Sequence, residues 1–172
     1  MSDQVVDVDE IEAGTFEVLP DRSSVELKAA SPLGTLIVTL PAMKGTVDVA
    51  AGGQIEGCTV SLDPTALKVN AEHLRGALEG EGGLDIANHR EAFFEADTLS
   101  QDGPELVMAG TMTARGVDVD TRVEGVIHKA QPRRIVLIMT AHVDRTKFGM
   151  SAGRPMLAKS GDVVVKLVAK LR

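Results

Sequence analysis

The chain has 172 residues, of which 44% are hydrophobic, and its only aromatic residues other than histidine are four phenylalanines. This length fits a single domain, and the lack of Trp and Tyr means that its core must be built from aliphatic side chains. The single cysteine, Cys58, excludes an intrachain disulfide and a cysteine pair for zinc. No stretch approaches the ~18 apolar residues that a membrane span needs.

The net charge of −7 conceals a strong asymmetry along the chain. Residues 1–110 hold 6 Lys/Arg and 20 Asp/Glu (−14), whereas residues 111–172 hold 12 and 5 (+7). An acidic protein with few aromatic residues is a poor candidate for nucleic-acid binding, so we expect no nucleic-acid partner. Two interpretations of the basic last third stay open: ordinary solvated strand faces, or a site for an anionic ligand.

Residues 1–13 are acidic and lack hydrophobic periodicity, which predicts a flexible tail preceding a domain over residues 14–172. The segment has neither the basic residues nor the apolar run of a secretory signal or transit peptide. We therefore expect a cytoplasmic protein.

From residue 14 onward the pattern is mainly that of β-strands. Residues 24–29 alternate strictly between apolar and polar side chains, and residues 35–40 do so less cleanly. Strands are also predicted at 46–49 and 55–62, around the turn signal Gly52-Gly53, with Cys58 as a buried structural thiol. Helix formers with Leu74 and Leu78 four apart predict a short helix over 71–79. A helical turn or ordered loop follows at 84–94, before strand resumes around 96–99.

Four more strands are predicted at residues 106–112, 119–128, 134–143 and 162–171. Residues 135–139 are apolar at five successive positions, so we expect both faces of that strand to be covered. The interior would cover one face, and the helical segment or the partner of a homodimer the other. About eight strands with short connections and alternating faces predict an antiparallel barrel or sandwich.

Few residue patterns indicate catalysis or metal binding. Residues 149–153 match the G-x-S-x-G pattern around Ser151, but Pro155 follows closely and no histidine occurs after His142. A glycine-rich turn explains this segment better than a catalytic serine. The four histidines lack metal-site spacing, and the glycines at 80–83 lack the Lys and Ser/Thr of a phosphate-binding loop, so we expect no metal and no bound nucleotide.

Seven basic residues accompany the apolar strands of the last third of the chain. Guanidinium groups beside an aliphatic cavity suit an amphiphile with an anionic head, because arginine binds phosphate through two parallel hydrogen bonds. The alternative is simple surface solubility. These residues are Arg115, Arg122, Arg133, Arg134, Arg145, Lys147 and Arg154.

Six segments, in order along the chain, resemble the YceI-like family of lipid-binding proteins between about residues 14 and 171. Residues 110–117 (GTMTARGV) resemble the family's Gly-x-Leu-Thr-x-Arg-Gly-Val/Thr hairpin, and residues 144–150 (DRTKFGM) its Asn-Arg-x-Asp-Phe-Gly segment. Residues 16–25, 72–76, 89–93 and 160–163 are similar to further family motifs. Leu19, Arg22 and Lys147 depart from the family's polar or acidic residues, which leaves the preferred head group open.

The resemblance implies an all-β fold with short helices, namely an extended lipocalin-like antiparallel β-barrel. It also implies an interior that holds a polyisoprenoid or similar lipid, with no catalytic activity and no other cofactor. Inward-facing strand positions then predict the residues that contact the lipid. For the cavity these are Val25, Leu27, Leu36, Val38, Phe93, Met108, Leu137, Met139, Phe148, Val163 and Val165; for the head group they are Arg115 and Arg145.

The predicted function is non-enzymatic binding, transport or storage of a long-chain amphiphile, a hydrophobic small molecule being the main partner. The alternative is a ligand-free barrel that acts as a stress-related or protein-interaction module. That alternative predicts an interior filled by side chains.

Overall fold

The structure is a computed structural model that describes residues 6–32, 34–150 and 160–172, apart from the side chains of residues 42 and 43. It contains eleven strands, one short α-helix and several 3₁₀ turns. The strands are β1 (Gly14–Val18), β2 (Ser24–Ser31), β3 (Gly34–Leu40), β4 (Ala42–Ala50), β5 (Gln54–Leu62), β6 (Lys68–Val69), β7 (Ala92–Asp102), β8 (Glu105–Ala114), β9 (Val117–Gln131), β10 (Arg134–Asp144) and β11 (Ser160–Leu171). The helix is α1 (Arg75–Glu79).

The strands form one antiparallel sheet that closes on itself. Its order is β1-β4-β5-β7-β8-β9-β10-β11-β2-β3-β6, and an additional pairing of β1 with β11 closes a ring of eight strands. The predicted all-β, eight-stranded antiparallel barrel is thereby confirmed. Closure removes most free strand edges, which accounts for a stable fold without disulfides.

Strand β11 extends the barrel because it pairs with two strands in succession. Its last residues pair with β1 (Phe16 opposite Leu171), and its first half pairs with β2 (Leu27 opposite Val163). β1 and β2 are separated by the 3₁₀ turn Pro20–Arg22, and β3 and β4 only by Pro41. Proline has no N–H to donate to a sheet, so the long strand is interrupted at that point.

The two ends of the barrel are closed in different ways. At the turn-side end, short connections join β4 to β5, β7 to β8 and β9 to β10. At the helix-side end lie residues 63–91, the β8–β9 turn and the 3₁₀ turn Arg145–Phe148. The β8–β9 turn consists of Arg115 (φ 45°) and Gly116 (φ 75°), and two successive positive φ angles are the requirement of a type I′ hairpin turn.

The structure differs from the predicted tail over residues 1–13 where that segment is described. Ile11 is only 3% exposed and belongs to the core. The Glu12 amide donates to the Pro132 carbonyl at 2.9 Å, and Arg133 lies 3.3 Å from the Glu12 carboxylate. Residues 6–13 therefore pack on the turn-side end, because Ile11 is buried and Val6 and Val8 pack, partly buried, against the same core.

The predicted helix over 71–79 is shorter and divided into two parts. A 3₁₀ turn, Glu72–Leu74, leads into the single α-helical turn of α1, and the Arg75 side chain bridges Glu72 at 2.8 Å and the Leu67 carbonyl at 2.9 Å. Gly76 inside the helix and Gly80 at its end limit its length. Strand β7 begins at Ala92, earlier than the predicted 96–99.

Candidate ligand-binding site

The turn-side half of the barrel interior is filled by side chains. The largest side chains with almost no exposure include Phe16 at 0%, Ile127 at 1% and Leu167 at 0%. Met108, Ile135 and Leu137, each 0% exposed, complete this packed region. A barrel of eight strands is just wide enough for such side chains to meet across the axis, so this half has no room for a ligand.

The helix-side half contains a cavity of about 80 Å³. Its wall comes from strands all around the barrel and from the segments that cover its end, and apart from Arg145 every residue in it is apolar. The lining residues are Val25, Leu27, Leu40, Leu62, Leu84, Ala92, Phe93, Met112, Ala114, Val143, Arg145, Phe148, Met150 and Val163.

Three apolar lining residues come from the segments that close the helix-side end, and we call them the cover: Leu84, Phe148 and Met150. Leu84 is held by the bond from its amide to the Leu78 carbonyl at 2.7 Å, and it is 8% exposed. Phe148 is 3% exposed and packs with Ala92 and Ala114 at the strand ends. These side chains form the part of the cavity wall that lies at the helix-side end.

Polar contacts outside the cavity tie the closing segments together. The Arg115 guanidinium donates to the Gly149 carbonyl, which links the β8–β9 turn to the end of the 3₁₀ turn that carries Phe148. His89 lies 3.7 Å from the Asp85 carboxylate. Its ring also lies so close to Gly116 that a Cβ there would approach it to 2.8 Å.

Arg145 is the one charged residue in the cavity wall. It is 5% exposed, and arginine is almost never buried to this extent unless its charge is paired. The backbone around it is fixed, since the Asp144 carboxylate accepts from the Thr146 amide at 2.9 Å and the Met150 amide donates to the Arg145 carbonyl at 3.2 Å. Arg145 borders the cavity only through apolar atoms, so the described wall presents an apolar surface throughout.

The structure separates the residues predicted to contact a lipid into two sets. Those around the cavity are Val25, Leu27, Phe93, Phe148 and Val163, with Arg145 from the predicted head-group pair. Phe93 lies at the rim, since 40% of its surface is exposed. Those packed elsewhere are Leu36, Val38, Met108, Leu137 and Met139, all 5% exposed or less, and Val165, which is partly buried against the core. Arg115 is not among the residues that line the cavity; it lies in the β8–β9 turn.

Eight lining residues were not among the predicted contacts. Leu40, Met112, Ala114 and Val143 occupy inward positions of their strands, so alternation alone could have suggested them. Leu84 and Met150 lie in irregular segments, where periodicity gives no signal. The other two, Leu62 and Ala92, are paired at the junctions of β5 and β7 with the helical segment.

The remaining predictions concern Cys58, Ser151, metal ions and membrane spans. Cys58 is 2% exposed, and burial, followed by the charge of Asp48, raises the pKa of its thiol to about 12. Ser151 lies outside the described residues. In the described part of the chain, no three His, Cys, Asp or Glu side chains are grouped closely enough to hold a metal ion. Nor does any helix there have the length and apolar character needed to cross a membrane.

The fold and the site place this chain in the class of closed antiparallel β-barrels with an apolar interior. The sequence matches the YceI-like domain over residues 16–171. The chain therefore belongs to the YceI-like family, as its motifs suggested. No curated protein sequence matches it significantly.

Solved structures share the fold at low sequence identity. BcnA from Burkholderia cenocepacia superposes with a TM-score of 0.77 at 13% identity, over 89% of this chain and 99% of BcnA. The YceI protein of Campylobacter jejuni has a TM-score of 0.66 at 13% identity, over 77% of this chain and 81% of that one. A polyisoprenoid-binding domain from Saccharophagus degradans, implicated in plant cell wall breakdown, has a TM-score of 0.65 at 10% identity, over 94% and 100%.

Proposed function

We propose that this barrel binds the apolar chain of an amphiphile at its helix-side end, without catalysing a reaction. The observation that carries the proposal is the apolar cavity beneath the cover, with the buried Arg145 in its wall. Affinity would come from the removal of apolar surface from water, at about 25 cal/mol per Å² before the costs of ordering. The cytoplasmic location and the homodimer stay predictions.

The size of the cavity determines how such a ligand enters. Sites for drug-sized ligands typically span about 300–1,000 Å³, whereas this cavity has about 80 Å³. It holds only a few carbon atoms, so a long chain requires outward movement of the cover. The packed turn-side half limits how deeply that chain can enter.

A methyl-branched chain is the ligand that we propose. The wall is built from branched aliphatic side chains such as Val25, Leu27 and Val163, which form an irregular surface that methyl branches can fill. The polyisoprenoid-binding domain from Saccharophagus degradans, which has the same fold, supports this ligand class.

The experiment is a displacement assay with an apolar dye, N-phenyl-1-naphthylamine, and farnesol and dodecanol as competitors. Ala114→Leu adds three carbon atoms inside the cavity and is expected to weaken dye binding at least tenfold. The matched control, Ala109→Leu, makes the same change at an exposed position of the same strand. Farnesol should compete more strongly than dodecanol. Equal dye affinity in the two variants would contradict a site in the cavity.

The small cavity also favours a second candidate, the ligand-free interaction module. This function predicts that the purified protein has a clean apo mass in native mass spectrometry and that organic extraction yields no lipid. It also predicts no saturable dye binding by the wild-type protein. A co-purifying lipid that Ala114→Leu loses and Ala109→Leu retains would instead establish the carrier.

A further inference from the structure

A second concave site lies on the outer wall of the barrel, away from the cavity. It is a groove of about 560 Å³ across β9, β10 and β11, and we call it the basic groove. Its lining residues are Arg22, His128, Lys129, Gln131, Arg134, Val136, Ile138, Lys166 and Val168. This volume lies within the range of small-molecule sites.

We propose that the basic groove binds a phosphate monoester that carries a short apolar group. Arg22, Arg134 and Lys166 would bind the phosphate, and Val136 and Val168 would contact the apolar group. The proposal concerns a different face of the barrel from the cavity and does not depend on it.

The charge of the groove is the first argument. Four of its side chains, Arg22, Lys129, Arg134 and Lys166, are cationic at neutral pH, and among the described residues that line it there is no Asp or Glu. Within the ranges 6–32, 34–150 and 160–172, these four side chains form neither an ion pair nor a side-chain hydrogen bond. Four unneutralised cations in one small groove favour a ligand with more than one negative charge, such as a phosphate monoester near pH 7.

Two sides of the groove are formed by irregular backbone segments, a 3₁₀ turn and a β-bulge. The 3₁₀ turn Pro20–Arg22 is held against β11 because the Leu19 amide donates to the Val168 carbonyl at 2.7 Å and the Val168 amide to the Ser23 hydroxyl at 3.0 Å. On the opposite side, β9 shifts register against β10: Lys129 pairs with Val136, and Ile127 with Leu137. The extra residue, His128, forms a bulge that leaves both it and Lys129 exposed on the outer wall.

The floor of the groove is apolar, which favours an amphiphile over inorganic phosphate. Val136 and Val168 point outward in the alternation of their strands, yet they are only 8% and 6% exposed. Ile138 lies beside them and is partly exposed. Two valines and an isoleucine offer an apolar surface next to guanidinium groups that can bind phosphate bidentately.

The groove contains three of the twelve basic residues of the last third of the sequence, Lys129, Arg134 and Lys166. Because β9, β10 and β11 are neighbours in the sheet, cations far apart in the chain are collected on one wall. In this way a protein with a net charge of −7 obtains a locally positive surface.

The test uses calorimetry with hexyl phosphate, hexanoate and inorganic phosphate as separate probes. Wild-type protein is expected to bind hexyl phosphate at least tenfold more tightly than the other two. The double variant Arg134→Gln/Lys166→Gln should lose at least tenfold of that affinity. The matched control is Arg122→Gln/Lys28→Gln, which removes the same charge from strand positions outside the groove and should bind as the wild type does.

Several results would overturn the proposal. Equal loss in the two double variants would mean nonspecific attraction, and no binding of hexyl phosphate would exclude the site. Binding only to vesicles that contain phosphatidylglycerol would instead make the groove a membrane contact. Loss of hexyl phosphate binding in Ala114→Leu would place that ligand in the cavity. If Ala114→Leu still binds hexyl phosphate, the basic groove is a site separate from the cavity, and the result is independent of the proposed function.

Discussion

The two halves of the barrel interior are built from the same kinds of side chain but differ in how completely they fill the space. In the turn-side half, Phe16, Met108 and Leu137 meet with no exposure. In the helix-side half, smaller residues such as Ala92, Ala114 and Val163 leave a cavity of about 80 Å³. The difference shows that one half is closely packed, whereas the other has unfilled space, which is where we propose that a ligand binds.

The largest predicted effect is that of a charge placed in the packed half. Leu137→Asp should prevent folding, because an unpaired buried carboxylate costs more than about 4 kcal/mol, a large part of the stability of a domain. Circular dichroism should show loss of the β-sheet signal at 25 °C. Thr140→Asp, at an exposed position of the same strand, is the control and should remain folded.

Truncation of one leucine in each half should distinguish the two halves by the stability that is lost. Leu137→Ala is expected to lower the free energy of unfolding by about 2–5 kcal/mol, since a closely packed site loses many contacts. Leu27 is only partly buried and already borders a cavity, so Leu27→Ala removes fewer contacts and should cost less than about 2 kcal/mol, with tighter dye binding. Urea denaturation of the two variants measures both values. An equal loss of stability would show that the halves are packed alike.

Raising the pH should reveal the environment of Cys58 in the packed half. Because burial raises its pKa from 9.0 to about 12 in the folded state, the native protein keeps the thiol proton where the unfolded chain releases it. Stability should therefore fall as the pH rises above 9, by about 1.4 kcal/mol per pH unit until the folded-state pKa is reached. Cys58→Ala should lack this contribution to the slope. If stability depends on pH with the same slope in the wild type and in Cys58→Ala, the raised pKa of the Cys58 thiol is contradicted.

The smallest predicted effect concerns the closing segments of the helix-side half. Arg115→Asn keeps a residue that favours the type I′ turn but removes the hydrogen bond to the Gly149 carbonyl. The cost should be about 1 kcal/mol. Stopped-flow measurements should show faster dye entry than in the wild type, whereas Arg122→Gln, on the outer wall, should leave the rate unchanged. An unchanged rate in Arg115→Asn would mean that this bond does not restrain the cover.

Particular residues show how far sequence patterns predict this protein. Alternation over residues 24–29 placed Val25 and Ala29 inside the barrel, and both are buried. The apolar run 135–139 predicted covered faces on both sides. Its outward residues Val136 and Ile138 form the floor of the basic groove. No residue of the segment 64–91, which contains the helix, lines that groove. Residues 6–13 pack through Ile11, Val6 and Val8, and these apolar residues among acids gave no periodic pattern that could have indicated it.

The sequence by itself determined that the chain forms antiparallel strands and which of their residues face inward, because alternation and turn residues act over a few neighbouring positions. These patterns left a barrel and a sandwich open, and the resemblance to the YceI-like family favoured the barrel. Only the tertiary structure decided which inward residues meet a partner across the barrel and which leave a cavity. It also decided that Arg22, Arg134 and Lys166 lie around one groove. Both outcomes depend on ring closure, which brings residues more than a hundred positions apart within reach of one another.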